Sequence, residues 1–140
     1  MEKGRFRMAL LIDDNQIDNI INKRILENQK YVDKIITYQS AKDAVEYLQN
    51  HSEDPEAFPD FILLDIRMPE MDGFEFLVEF DKLESNLKSL CHIYILSSSL
   101  DPVDQRKVAE NKHVVKFICK PLTGPHLVNL PLKKVKTPKS

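Results

Sequence analysis

Glycine is scarce in this chain: only Gly4, Gly73 and Gly124 occur among its 140 residues. No Gly-rich loop can therefore cradle the phosphates of a nucleotide, which argues against flavin and dinucleotide binding. Cysteine is scarcer still. Cys91 and Cys119 lie in or beside apolar runs that read as neighbouring strands, and both are expected to be reduced core residues, because free cysteine packs as a small hydrophobe and cytosolic disulfides are uncommon. His51, His92, His113 and His126 have no ligand-like spacing to one another or to the cysteines, which argues against zinc. No stretch approaches the ~20 consecutive apolar residues of a membrane span, and the N-terminus Met1-Glu2-Lys3-Gly4-Arg5-Phe6 lacks the apolar core of a signal peptide. The expected location is the cytoplasm, away from any membrane. Charge of either sign is not in excess, with a net charge of -2 at 30% charged residues, so direct nucleic-acid binding is not expected.

What the chain does have is an alternation of apolar runs and helical patterns. Strands are expected at about 7–12, 34–37, 61–65, 93–97 and 114–119, the first of them, nearly continuous in apolar character, as a fully buried strand. Helices are expected between them. Gln16 to Asn28 carries Ile17, Ile20, Ile21 and Ile25 at helical spacing, which predicts an amphipathic helix with that apolar stripe. Ser40 stands as an N-cap before Ala41, Ala44, Val45 and Leu48; Gly73 opens a helix whose core face is Phe76, Leu77, Phe80 and Leu83. Asp101-Pro102 starts a lightly packed helix to about Asn111, with little apolar character beyond Val103, Val108 and Ala109. After Lys120-Pro121 the pattern decays, because Gly124, Pro125 and Pro131 interrupt what would be a last helix. Residues 1–130 are expected to form one domain and 131–140 a basic, disordered tail. Repeated β-then-α units imply an α/β fold with a mostly parallel sheet and helices on both faces, and ligands then gather at the carboxyl ends of the strands.

Those ends carry charge. Asp13 and Asp14 close the first apolar run, Asp65 closes the third before the loop Ile66-Arg67-Met68-Pro69-Glu70-Met71-Asp72-Gly73, Ser97 and Ser98 close the fourth, and Lys120 closes the fifth. Carboxylates converging on one crevice repel one another, and a divalent cation is the simplest remedy; hard oxygen ligands suit Mg²⁺ or Mn²⁺. Asp14 and Asp65 are candidate ligands, with Asp13 nearby and the Arg67 backbone carbonyl as a further oxygen. Met68 and Met71, soft ligands beside hard ones, are expected to pack rather than bind metal. A carboxylate beside such a cation and a lysine is suited to attack a phosphoryl group, giving an acyl phosphate on Asp65 that a hydroxyl from Ser97 or Ser98 could approach.

In that order and on those elements, the residues resemble the receiver domain of two-component response regulators, over approximately residues 7–122. The resemblance implies a flavodoxin-like, doubly wound, five-stranded parallel sheet of order 2-1-3-4-5, with the last helix short or irregular here. It implies that Asp65 accepts phosphate from a phosphohistidine on a sensor histidine kinase or phosphotransfer domain. Mg²⁺ would be held by Asp14, Asp65 and the backbone of Arg67, with Asp13 acting through water, and Lys120 would bind a phosphate oxygen. Ser97 would be the switch hydroxyl, Ser98 would offer a backbone amide, and Phe117 would be the switch aromatic, coupled by packing alone because it has no hydroxyl. Arg67 and Ser99 occupy positions through which receivers vary the lifetime of the acyl phosphate. A stand-alone receiver acting on an unknown downstream protein, as a monomer or weak dimer, is the expected form. Two other readings share the residues: a phosphatase or phosphotransferase of the haloacid-dehalogenase type, disfavoured because Arg67 stands where such enzymes carry a second acid, and a receiver-like interaction domain that is not phosphorylated.

Overall fold

In a computed structural model that describes residues 6–99 and 101–123, strands and helices alternate in the order β1 (Phe6–Ile12), α1 (Gln16–Asn28), β2 (Val32–Tyr38), α2 (Ala41–Asn50), β3 (Phe61–Leu64), α3 (Gly73–Lys82), β4 (His92–Ser97), α4 (Pro102–Ala109) and β5 (Val114–Cys119), with a short 3-10 turn at Lys88–Leu90 before β4. The strands form one parallel sheet in the order β2-β1-β3-β4-β5. This is the expected doubly wound topology. The expected short last helix and basic tail lie outside the described residues.

Period-two alternation along the central strands divides the core into two layers. Leu10, Ile12, Ile62, Leu64, Ile93 and Ile95 face one side, where Ala44, Leu48, Phe76, Phe80 and Val108 from α2, α3 and α4 cover them. Ala9, Leu11, Phe61, Leu63, Tyr94 and Leu96 face the other, over which α1 lies with Leu26. Met68 and Met71 pack against the first layer as expected. One cysteine departs from expectation. Cys91 is buried just before β4 as expected, whereas Cys119 is exposed at the far end of β5, and neither is in a disulfide.

Local sequence explains the helix ends. Ser40 caps α2 through Asp43 N–H at 3.2 Å, and Asp72 and Glu75 form a reciprocal capping box on α3, each bond 2.9 Å. The carboxyl end of α1 closes in a Schellman motif: Lys30, at φ 51°, donates to the Glu27 carbonyl and Tyr31 to that of Leu26. Lysine in that left-handed position is a residue where glycine is the usual choice.

The α1 expectation fails in direction. Three of the four isoleucines face outward, Ile17 65%, Ile20 49% and Ile21 47% exposed, while Asn19, Asn22 and Leu26 are buried and Ile25 packs against the second layer. The reason lies in what α1 covers: its first half lies over the ends of β1 and β2, whose last carbonyls take a side-chain donor. Asn19 Nδ2 donates to the Asp13 carbonyl at 2.9 Å and the Tyr38 carbonyl at 3.2 Å. Polar residues therefore serve the inner face.

Candidate functional site

Parallel strands bring their carboxyl ends to one edge, and the sequence places its charges there. Asp13 continues from β1, its N–H bonded to the Tyr38 carbonyl at 3.1 Å and its side chain buried. Asp65 follows β3 and still donates its N–H to the Ile12 carbonyl at 3.0 Å, so the two acids hang from adjacent, hydrogen-bonded strands. Asp14, next along, is exposed. Carboxylate oxygens of Asp13, Asp14 and Asp65 all lie within 4.8 Å of one another, a cluster able to hold a metal ion.

Lys120 reaches this cluster from the end of β5. Its N–H bonds the Ser97 carbonyl at 2.9 Å, which locks the β5 end beside the β4 end, and the Lys120–Pro121 peptide is cis. The ammonium donates to Asp13 Oδ2 and Asp18 Oδ2, both at 2.8 Å, and stands 3.7 Å from Asp65 Oδ2. Burial alone would make the ammonium easier to deprotonate, but the bonds to Asp13 and Asp18 outweigh it and hold the lysine charged. Asp65 is the perturbed acid. Burial first, then the Asp13 carboxylate, push its pKa up to about 6 against the opposing pull of Lys120. One lysine, already bonded to Asp18, leaves the cluster of Asp13, Asp14 and Asp65 short of positive charge, and this oxygen-only donor set fits a hard divalent cation.

The loop after Asp65 is shaped by two backbone features. Glu70 has φ 67° at the centre of a tight turn in which Met71 N–H reaches the Pro69 carbonyl at 2.8 Å. Gly73 then begins α3 against Asp65 itself: a Cβ there would sit 2.6 Å from the Asp65 carbonyl oxygen and 2.8 Å from Ile66 Cα. Only glycine fits without moving that backbone.

Ser97 is buried, and its Oγ accepts from Ser99 N–H at 3.1 Å; Ser98 is exposed. Phe117 is half-buried against the core opposite Ile95 in the β4–β5 register. The side chains of Arg67 and Ser99 meet at Asp104, a residue the sequence reading passed over. Asp104 is 5% exposed in the first turn of α4, pairs with the Arg67 guanidinium and accepts from Ser99 Oγ at 2.9 Å. Asp18 and Asn19 were also missed. Their signal was present as polar residues just after the Asp13-Asp14 pair, but the isoleucine stripe drew the inner face of α1 the wrong way.

A family model for the response regulator receiver domain matches residues 9–130. Among curated proteins, the chain is 29% identical over 116 residues to the probable methanogenesis regulatory protein FilR2 of Methanothrix harundinacea, covering 83% of this chain and 73% of that protein. It is 34% identical over 125 residues to the two-component response regulator ORR1 of Oryza sativa subsp. japonica, covering 87% of this chain and 53% of ORR1, so it spans about half the length of that relative. The crystal structure of a two-component response regulator from Cytophaga hutchinsonii superposes with a TM-score of 0.81 at 33% identity, over 91% of this chain and 94% of that one.

Proposed function

Because this chain belongs to the response regulator receiver family and is a phosphoacceptor signalling module, we propose that Asp65 is its phosphoacceptor. A carboxylate oxygen of Asp65 attacks the phosphorus of a phosphohistidine on a sensor histidine kinase or phosphotransfer domain. The P–N bond breaks, its electron pair stays on the imidazole nitrogen, and an acyl phosphate remains on Asp65. The observation that carries this reading is a buried acid, 8% exposed, with two further carboxylates and a lysine around it at the mouth of a central strand.

The roles around it follow from charge and position. Asp13, Asp14 and Asp65, with the Arg67 backbone carbonyl, would hold Mg²⁺ or Mn²⁺. When bound, such an ion neutralises the crowded carboxylates and the transferring oxygens. Lys120 takes a phosphate oxygen. Ser97 is the switch hydroxyl, Ser98 contributes its amide, and Phe117 responds through packing. Arg67 is engaged by Asp104, and we assign no turnover of a free substrate beyond loss of phosphate from Asp65 itself.

The donor has a surface to meet. Ile17, Ile20 and Ile21 are exposed on α1, the helix that follows Asp13 and Asp14, and apolar side chains standing together in water mark an interaction face. A cytoplasmic module, monomeric or weakly dimeric, would then act on a downstream protein. Incubation with Mg²⁺ and acetyl phosphate, followed by intact-mass spectrometry, should add one phosphate. No adduct with this donor or a phosphorylated kinase, or an equal adduct on Asp65→Ala, refutes the assignment.

A further inference from the structure

Lys120 does not point its full charge at the acceptor. Of the three protons an ammonium can donate, one goes to Asp13 and one to Asp18, each at 2.8 Å, while Asp65 lies beyond hydrogen-bonding reach at 3.7 Å. Asp13 belongs to the acidic crevice. Asp18 does not: it stands in the first turn of α1, where the Asn15 side chain receives its N–H at 3.1 Å, and its carboxylate is 34% exposed. A carboxylate in the first turn of a helix is favoured by the helix dipole, so Asp18 is a stable resting partner for a cation. The ammonium is thus hydrogen-bonded to Asp13 and Asp18, and meets Asp65 only at ion-pair distance, 3.7 Å.

We propose that Asp18 is a positioning residue that parks Lys120 in the unphosphorylated protein and competes with the phosphoryl group on Asp65 for the lysine. The proposal rests on Asp65 being the acceptor. A phosphoryl group, or a mimic of it, brings oxygen or fluorine acceptors to the crevice, and Lys120 engages them by giving up the Asp18 bond. Asp13 stays within reach throughout, so the lysine swings about one retained contact. Removing the Asp18 carboxylate removes the competitor and leaves the lysine free to face Asp65.

The test is a titration of the full chain with beryllofluoride in the presence of Mg²⁺, followed by amide NMR. A charge-assisted, partly exposed hydrogen bond is of the size that shifts an equilibrium by roughly three- to tenfold. Asp18→Asn is expected to lower the half-saturating beryllofluoride concentration by that factor, Asp18→Ser should do the same, and Asp18→Glu should return it toward wild type. A role in merely supporting α1 predicts weaker binding in both substitutions and no rescue. Unchanged or weaker binding in Asp18→Asn and Asp18→Ser overturns the proposal. Absence of any binding by the wild-type chain instead overturns the acceptor assignment, and the parking role with it.

Discussion

Asp65→Asn should make the metal-free protein more stable at neutral pH, although it removes the proposed phosphoacceptor. Burial and Asp13 raise the Asp65 carboxyl to about 6 in the fold, against 3.8 for the unperturbed group. An acid whose pKa is raised by folding stabilises the native state fully below its unfolded value. That contribution is lost as pH climbs through the folded one, here between about pH 4 and 6. The gap corresponds to at most about 3 kcal/mol, and partial solvent access at the crevice mouth reduces this to roughly 1–2 kcal/mol. Asparagine keeps the shape without the charge, and Lys120 is not orphaned because Asp13 and Asp18 retain it. Urea denaturation in chelator should show Asp65→Asn ahead of wild type by about 1–2 kcal/mol at pH 7.5 and level with it near pH 4. Millimolar Mg²⁺ should narrow the difference at pH 7.5 by binding the native wild-type site. A mutant less stable than wild type at pH 7.5, or an advantage independent of pH, would show that Asp65 is not held ionised against its environment.

Three further outcomes follow from other parts of the fold. Gly73→Ala should destabilise by about 2 kcal/mol and depress the yield of acyl phosphate, because its Cβ meets Asp65 and Ile66 backbone rather than a movable side chain; denaturation and phosphorylation by acetyl phosphate measure the two effects. Arg67→Ala should cost more, about 2 kcal/mol, than Asp104→Asn, under about 1 kcal/mol. Loss of the arginine leaves a buried carboxylate whose remaining side-chain hydrogen-bond partner among the described residues is Ser99, while the asparagine leaves a solvated guanidinium; chemical denaturation of the two variants decides the order. Lys30→Gly should raise stability by about 0.5–1 kcal/mol, seen as an upward shift in Tm, since glycine relieves the left-handed φ that closes α1.

The strands were legible because each leaves a short apolar run ahead of a helical pattern, whereas their order came from the resemblance to receiver domains; β1, β3 and β4 are buried along nearly their whole length, while the edge strands β2 and β5 are largely not. The acidic crevice was legible for a related reason: Asp13, Asp14, Asp65 and Lys120 each interrupt a run where it ends, so topology alone assembles them. Asp18 and Asp104 were not, because an acid in the first turn of a helix reads as an ordinary response to the helix dipole, and nothing local announces a partner from another strand end. Their partners lie 102 and 37 residues away. The inward face of α1 was misread on a sound general rule. Periodicity identifies a stripe but not its direction, and here the demands of strand-end carbonyls outweighed the burial of isoleucine. Gly73 was read as a helix opener; its contact with the Asp65 carbonyl depends on where α3 lands, which spacing does not encode.

That contact gives the crevice mechanical asymmetry. The β3 side is a dead stop: Gly73 N–H bonds the Ile66 carbonyl at 2.8 Å, and α3 abuts the Asp65 backbone with no clearance for a methyl group. The β4 side ends at α4, which buries only Asp104 and Val108 and is moored by polar bonds. The two flanks of the crevice are therefore held differently, by backbone packed on backbone on the β3 side and by the Arg67–Asp104–Ser99 side-chain bonds on the α4 side.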